Sequence, residues 1–373
     1  MNSTTSPLRI GIIGAGRIVE RAHLPVLAKL PEVVVAALFD SDLERAQVVA
    51  DQFHIPHVCR ALDELFGLGL DIALVACPNA QHASVSMAAL EAQLHVLCEK
   101  PMALNSAEAQ AMSLTAERTG RELMIAFANR FRPEIVALQQ MIQAGVLGEV
   151  TAIRCGWLRR KGVPGVGTWF TRRELAGGGV LTDLGSHLID LALWLSGRPT
   201  VLSTTGVFDR TLESTGQASW YLPGGAPRET AWDVEVSATG FIVCQGQGPR
   251  TIFVEVSWDC GVPYDQTYLY VRGKQGLARI KTLFGFSPSG YRPEYPLRVW
   301  QADHPVAVSA TSATDLLQPY QDQWKFFIDS LRTGRSLRSE LQDSVATVQV
   351  IEGLYRSGDG GRWTDEGRMT NDE

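Results

Sequence analysis

The first third of the chain alternates short apolar runs with helix-patterned segments, and that alternation constrains the fold more than any other feature. Leu8–Ile13, Val33–Phe39 and residues 71–76, 94–98 and 122–127 read as strands buried on both faces. Between them, helical patterns open at Arg17 and run through Leu43–Phe53, 83–92 and 106–118. Strands and helices alternating over roughly 125 residues imply a right-handed, doubly wound parallel sheet. Residues 1–128 are therefore expected to form one α/β domain of the nucleotide-binding kind. In such sheets ligands bind beyond the carboxyl ends of the strands. The residues that end each apolar run thus carry the functional information.

The first run ends in Gly14-Ala15-Gly16, and Arg17-Ile18 then opens a helix. Two close glycines permit a tight turn and let a pyrophosphate approach the backbone, with the following helix supplying N–H groups and a favourable dipole. Val19 stands where the usual fingerprint has a third glycine, which weakens the match without removing phosphate binding. The second run ends at Asp40. A carboxylate there suits the two adenosine ribose hydroxyls and repels a 2′-phosphate, and Ser41 supplies no cation, so NAD is favoured over NADP. Asp40 alternatively caps the helix that begins near Asp42. After the run at 71–76 come Cys77-Pro78-Asn79-Ala80-Gln81-His82, where Asn79 either reaches ribose or nicotinamide or caps the next helix. The run at 94–98 ends in Glu99-Lys100-Pro101. Pro101 fixes its own φ and biases Lys100 toward extended backbone, so the amine has a set direction. Read blandly, Glu99 and Lys100 are a surface ion pair at a strand end. His54 and His57 flank Pro56; the proline breaks helical spacing, so this reads as a loop and no metal site is expected.

Beyond Asn129 the character changes, and residues 129–373 are expected to form an α+β domain around a mostly antiparallel sheet. A helix over 134–144 leads in. Strand-like patterns follow from 149 to about 281, including Val150–Leu158 and residues 237–244, 251–259 and 267–272. Residues 284–315 read as loop-rich, 316–332 and 342–355 as helical, and the tail from 356 as loose. Inside this stretch lies Gly177-Gly178-Gly179-Val180-Leu181-Thr182-Asp183-Leu184-Gly185-Ser186-His187-Leu188-Ile189-Asp190. Its apolar density demands burial, yet Asp183 and His187 stand four apart on one helical face. They form either a core hydrogen bond or a pocket wall in which Asp183 tunes His187. The glycine triplet permits close approach by a loop or a cofactor. The segments Arg159–Gly165 and Trp169–Arg173 are either a solvated loop or the lining of a ligand site, with Trp169 the strongest candidate for a contact there.

A net charge of −6 with no basic run argues against nucleic acid or anionic membrane as a partner. The six scattered cysteines read as buried thiols in a reducing compartment. No signal peptide and no membrane-spanning apolar run is apparent, so a cytoplasmic location is expected.

Taken together, the Gly14–Ile18 turn, Pro78–His82, His95–Pro101 and Gly177–Asp190 resemble the glucose–fructose oxidoreductase/inositol dehydrogenase/rhizopine catabolism (Gfo/Idh/MocA) family. The resemblance implies a Rossmann domain, an open-sheet domain that often forms the subunit interface, and a homodimer or homotetramer. It implies a nicotinamide-dependent dehydrogenase acting on a ring hydroxyl of a sugar, inositol or related polyol, and often a cis Lys100–Pro101 bond. Carried over residue by residue, the catalytic set is Lys100, Asp183 and His187. His187 takes the hydroxyl proton, Lys100 stabilises the alcohol oxygen, and Asp183 holds His187 and favours its charged form. The cofactor set is Gly14, Gly16, Arg17, Ile18, Asp40, Cys77, Asn79, His82, Glu99 and Lys100. Glu99 either positions Lys100 or binds ribose; Trp169, Lys100 and His187 face the substrate. Asp190 is a supporting or helix-face acid outside the catalytic set. The rival readings are a catalytically inactive NAD-binding regulator and a redox-neutral NAD-dependent glycosidase.

Overall fold

The computed structural model describes residues 6–211, 232–246, 248–287, 296–302, 304–308, 315–358, 362–363 and 369–370. The chain falls into two compact units. The first comprises residues through Ala128 together with Leu317–Val345; the second comprises Asn129–Leu316 and the chain from Ala346. Residues 317–345, expected in the second domain, thus group with the first. The reason lies in the helix Gln318–Thr333, whose Trp324 and Phe327 are wholly buried and whose indole reaches His23 of the first unit.

In the first unit, β1 (Leu8–Ile13), β2 (Val33–Phe39), β3 (His57–Cys59), β4 (Ile72–Val75), β5 (His95–Cys98) and β6 (Leu123–Ile125) form a parallel sheet in the order β3-β2-β1-β4-β5-β6. Ile10, Ile12, Leu38, Leu74, Val96 and Leu97 are fully buried, as expected for strands covered by helices on both faces. The unexpected strand is β3. His54 closes the preceding helix in a left-handed conformation (φ 57°), and His57 then pairs with Ala37. Among the described residues no three His, Cys, Asp or Glu side chains gather as a metal site would require. Strand order reverses between β1 and β4. There Gly14 has φ +107°, and a Cβ on it would lie 2.4 Å from the Ala76 carbonyl oxygen, so only glycine lets the two strand ends approach.

In the second unit, β7 (Val150–Leu158), β8 (Thr200–Asp209), β9 (Ser237–Gln245), β10 (Pro249–Ser257), β11 (Gln266–Gly273), β12 (Gly276–Thr282), β13 (Leu297–Gln301) and β14 (His304–Val306) form one sheet. Its order is β14-β13-β12-β11-β7-β10-β9-β8, antiparallel except for the parallel β7–β10 pair. Ile242, Ile252, Ile153, Val271, Ala278 and Val299 stand in one cross-strand row, each no more than 2% exposed. Burying each larger side chain in that row contributes roughly 1.5–3 kcal/mol before entropy is counted. The helix Ser186–Leu195 belongs to the same core. The opposite face carries Phe241, Phe253, Arg154, Tyr270 and Arg279 in register. Residues 212–231 of the expected strand-rich stretch, and most of the expected loose tail, lie outside the described residues; 362–363 and 369–370 pair antiparallel. Part of the expected loop-rich stretch is strand, as β13 and β14. No helix among the described residues is long and apolar enough to cross a membrane. All six cysteines are free; Cys260 is exposed and Cys77 half-buried, against the expectation that all are buried.

Candidate active site

In the first unit the residues ending β1, β2, β4 and β5 lie at one edge of the sheet. Gly16 is exposed, and a Cβ there would meet nothing within 4 Å, which leaves open space at the turn. Asp40 at the end of β2 reaches back to this turn: its Oδ2 accepts the Ala15 N–H at 2.6 Å and its Oδ1 the Asp42 N–H at 2.8 Å. The helix cap is Asp42 instead, which accepts from Arg45 N–H at 3.0 Å. A cation does reach the turn. Arg45 donates to the Ala15 carbonyl at 3.1 Å and pairs with Glu20 at 2.5 Å. Arg17 and Ile18 are half-buried and begin the helical run.

Beyond β4, Asn79 is the first helical residue and 8% exposed; Pro78, not Asn79, occupies the cap position. Burial pushes the Cys77 thiol up to about 12, so it stays protonated near neutrality. His82 is 1% exposed, with Nδ1 2.7 Å from the Pro101 carbonyl and Nε2 3.0 Å from that of Cys77. Burial lowers its pKa, against the raising pull of those carbonyls, and in its neutral form the ring donates to one of the two. His82, expected in the cofactor set, therefore has both ring nitrogens on backbone. Beyond β5, the Lys100–Pro101 bond is cis and Lys100 is half-buried. Glu99 is buried; its Oε2 accepts the Lys100 N–H at 3.1 Å and its Oε1 lies 2.8 Å from His23 Nε2.

In the second unit the expected helix is two pieces: a π turn, Leu181–Gly185, and the α-helix Ser186–Leu195. Between Val180 and Leu193, Asp183 and His187 alone are not buried. Asp183 Oδ2 accepts the Trp258 indole N–H at 3.0 Å. The His187 ring lies 5.8 Å from that of Trp157, and Arg159 stands over the far side chain of this pair, 5.7 Å from the Trp157 centroid. Arg159 is buried rather than part of a solvated loop. Burial lowers its pKa, opposed by Asp183 and Asp265, and a guanidinium remains charged regardless. Trp169 packs on Phe170 at 4.8 Å, which in turn faces Trp258 at 6.1 Å, so the Trp169 loop is continuous with the residue that holds Asp183.

The glycine triplet is explained by the chain itself. Cβ atoms would lie 2.0 Å from the Tyr355 hydroxyl at Gly178 and 2.1 Å from the Glu235 carbonyl at Gly179. Buried Glu235 accepts the Gly179 and Leu181 N–H groups at 3.0 and 2.9 Å and the Tyr355 hydroxyl at 2.7 Å. It thereby caps the segment that presents Asp183 and His187. Asp190 is also accounted for: Arg130 grips it in a buried fork at 2.8 and 2.6 Å. The sequence reading missed Glu235, Trp157, Trp258, His23 and Trp324. The two site tryptophans had one available signal: each stands near the end of a strand, and those strands prove to be neighbours, with Trp157 opposite Val256.

Residues 8–127 match the model of an oxidoreductase family with an NAD-binding Rossmann fold, and residues 135–279 match a GFO/IDH/MocA C-terminal domain. A protein of Amycolatopsis mediterranei named for the oxidoreductase subunit of a UDP-kanosamine synthase is 35% identical over 285 residues, 76% of this chain and 77% of that one. The chain belongs to the Gfo/Idh/MocA family. A D-glucoside 3-dehydrogenase of Escherichia coli is 38% identical over 203 residues, 54% of this chain and 57% of that protein. In fold, levoglucosan dehydrogenase in complex with NADH and levoglucosan superposes with a TM-score of 0.79 at 19% identity, covering 95% and 97% of the two chains. GenD2 from gentamicin A biosynthesis, in complex with NAD, gives 0.76 at 23% over 99% and 97%. This Gfo/Idh/MocA member is an oxidoreductase, and its first unit is an NAD-binding Rossmann domain. The open space at Gly16 and the carboxylate of Asp40 beside it fit such a dinucleotide.

Proposed function

We propose that the protein is an NAD-dependent dehydrogenase that oxidises a ring hydroxyl of a sugar, inositol or related polyol, or reduces the matching ketone. The observation that carries this reading is the selective exposure of Asp183 and His187 on an otherwise buried helical segment. Curated relatives, a D-glucoside 3-dehydrogenase among them, support the substrate class. Gly14, Gly16, Arg17, Ile18, Asp40, Cys77, Asn79 and His82 form the cofactor cradle, the last by bracing its loops. Bound nicotinamide supplies the hydride acceptor. Lys100 donates to the substrate oxygen and stabilises the charge that develops there. His187 accepts the hydroxyl proton on its imidazole, and Asp183, fixed by Trp258, favours the protonated ring. Glu99 sets the backbone from which Lys100 projects. Trp169 packs on sugar C–H faces.

The assembly is proposed to be a homodimer or homotetramer through the second unit's open sheet face, where Val207 (67% exposed) and Phe241 (44%) share one side with Tyr270. A cytoplasmic location is kept as part of this reading. The test is a panel of cyclic polyols and keto-sugars read by nicotinamide absorbance with NAD and with NADP. Turnover that needs added NAD and is lost in Lys100→Ala and His187→Ala supports the reading. Turnover without added NAD, or full activity in Lys100→Ala, refutes it.

A further inference from the structure

We infer that His23 and Trp324 are positioning residues for Lys100, acting through Glu99. Both side chains are wholly buried, and both lie in the first unit although 301 positions apart in sequence. The Trp324 indole nitrogen is 2.9 Å from His23 Nδ1. An indole N–H only donates, so Nδ1 is an acceptor and the proton of the ring sits on Nε2. Nε2–H then donates to Glu99 Oε1 at 2.8 Å, and Glu99 Oε2 accepts the Lys100 N–H at 3.1 Å. The carboxylate is held at both oxygens, and the peptide entering Lys100 is fixed by it. On the other side of Lys100 the Pro101 carbonyl oxygen lies 2.7 Å from His82 Nδ1.

The ring of His23 is fixed as well. Trp324 and Tyr320 meet it edge-on at 5.9 and 5.8 Å. Glu99 and Tyr320 are titratable groups in contact with it. A buried polar chain of this length costs more to desolvate than an apolar filling of the same volume. What the chain obtains in return is a defined orientation for Glu99, and through it for Lys100. His23 stands at the end of a π turn, Val19–His23, whose Leu24 N–H bonds to the Val19 carbonyl. Such turns recur where a helix must aim one side chain out of its regular phase.

This inference rests on the proposed role of Lys100, so the test includes readouts that do not need turnover. Nitrogen chemical shifts of the full-length, NAD-loaded protein should show His23 as the neutral Nε2–H form, and Trp324→Phe should release that tautomer. Acetic anhydride labelling, read peptide by peptide in a mass spectrometer, should change its rate at Lys100 by about threefold or more in His23→Leu, against about unity in His23→Gln, whose amide N–H replaces Nε2–H. On a polyol that is turned over, His23→Leu should lower kcat by about 10-fold or more with KM for NAD nearly unchanged, and His23→Gln should recover most of it. Equal losses in His23→Leu and His23→Gln, or an Nδ1–H ring in the native protein, overturn the inference. If His23→Leu does not fold, Trp324→Phe carries the same labelling test, with an unchanged Lys100 rate as the refuting result. If labelling responds and Lys100→Ala retains activity, the dehydrogenase role of Lys100 falls while the positioning chain stands.

Discussion

Glu235 offers the sharpest test of how the second unit presents Asp183 and His187. The carboxylate is 2% exposed and takes three donors, the Gly179 and Leu181 N–H groups and the Tyr355 hydroxyl. In Glu235→Ala the Gly179 and Leu181 N–H groups lose this acceptor inside the core, while the Tyr355 hydroxyl keeps Thr182 Oγ1 at 3.0 Å. A stranded buried donor costs about 1–3 kcal/mol, so the two N–H groups together should destabilise this unit by about 2–5 kcal/mol, less than the simple sum because they share one acceptor. Glu235→Gln keeps the shape and one oxygen, and should lose about 1–2 kcal/mol. Burial raises the Glu235 pKa, against the lowering pull of its hydrogen bonds. The folded protein therefore holds a proton that the unfolded chain has released. Stability contributed by this group is greatest below the ordinary glutamate value near 4.5 and declines as pH rises toward the raised value, by up to about 1.4 kcal/mol per pH unit in that window. Calorimetric melting of the second unit across that range, for wild type and both variants, reads all three numbers. A Glu235→Ala protein within about 1 kcal/mol of wild type refutes the capping argument. A Glu235→Gln protein with the wild-type pH slope refutes the linkage argument.

Other perturbations follow from the same geometry. Arg130→Met strands the buried Asp190 carboxylate and should cost about 3–5 kcal/mol by urea denaturation, most of it recovered in Arg130→Met/Asp190→Leu. Asp40→Ser removes the charge facing the Ala15 turn while Arg45 stays beside it; at about 5 Å and an effective dielectric near 20 that charge is worth roughly 3 kcal/mol, so the NADP-to-NAD ratio of kcat/KM should rise by about 100- to 300-fold. An unchanged ratio would place the adenosine ribose elsewhere. Trp258→Phe keeps the aromatic packing on Phe170 but removes the N–H on Asp183, and should lower kcat by about 10-fold with a melting temperature close to wild type. Gly14→Ala should abolish NAD binding in a calorimetric titration, since its Cβ would strike the Ala76 carbonyl.

The parallel sheet was legible because its strands are buried on both faces and so appear as unbroken apolar runs bounded by turns. β3 and β14 are only three residues long and stand at sheet edges, where neither length nor alternation gives a signal. Lys100, Asp183 and His187 could be singled out as candidates because one is a charge at the end of an apolar run and the others a polar pair inside one, although each also had a bland reading, an ion pair and a core hydrogen bond. Their supports could not be singled out. Glu235 sits in an unremarkable stretch, and its value comes from a contact with residues 54 and 56 positions earlier. Trp324 reads as one apolar residue of an amphipathic helix, and nothing in its own segment announces a partner at His23. The boundary error at residues 317–345 has the same origin, since which core a helix joins is decided by packing partners far away in sequence.

Both units place a π turn beside their candidate site residues, and no pattern in the sequence marks either one. A π turn carries one residue more than an α turn, so it re-phases every residue after it. In the first unit the turn delivers His23 to Glu99 and lets Leu24, Val26 and Leu27 return to the core. In the second it lets Asp183 and His187 share an open side while Leu181, Leu184, Leu188 and Leu191 stay buried. A regular helix must choose between an apolar stripe wide enough for a core and a polar pair held within it. The widened turn removes that choice at the cost of poorer backbone hydrogen bonding, and Glu235 and the Trp324–His23 pair supply bonds at those same places. Straightening the second turn by deleting Thr182 should therefore leave the sheet of that unit folded while rotating Asp183 away from Trp258. Recovered indole solvent exposure by fluorescence quenching, with strand content unchanged by circular dichroism, is the expected result; an unperturbed Trp258 would show that the turn has no part in aiming Asp183.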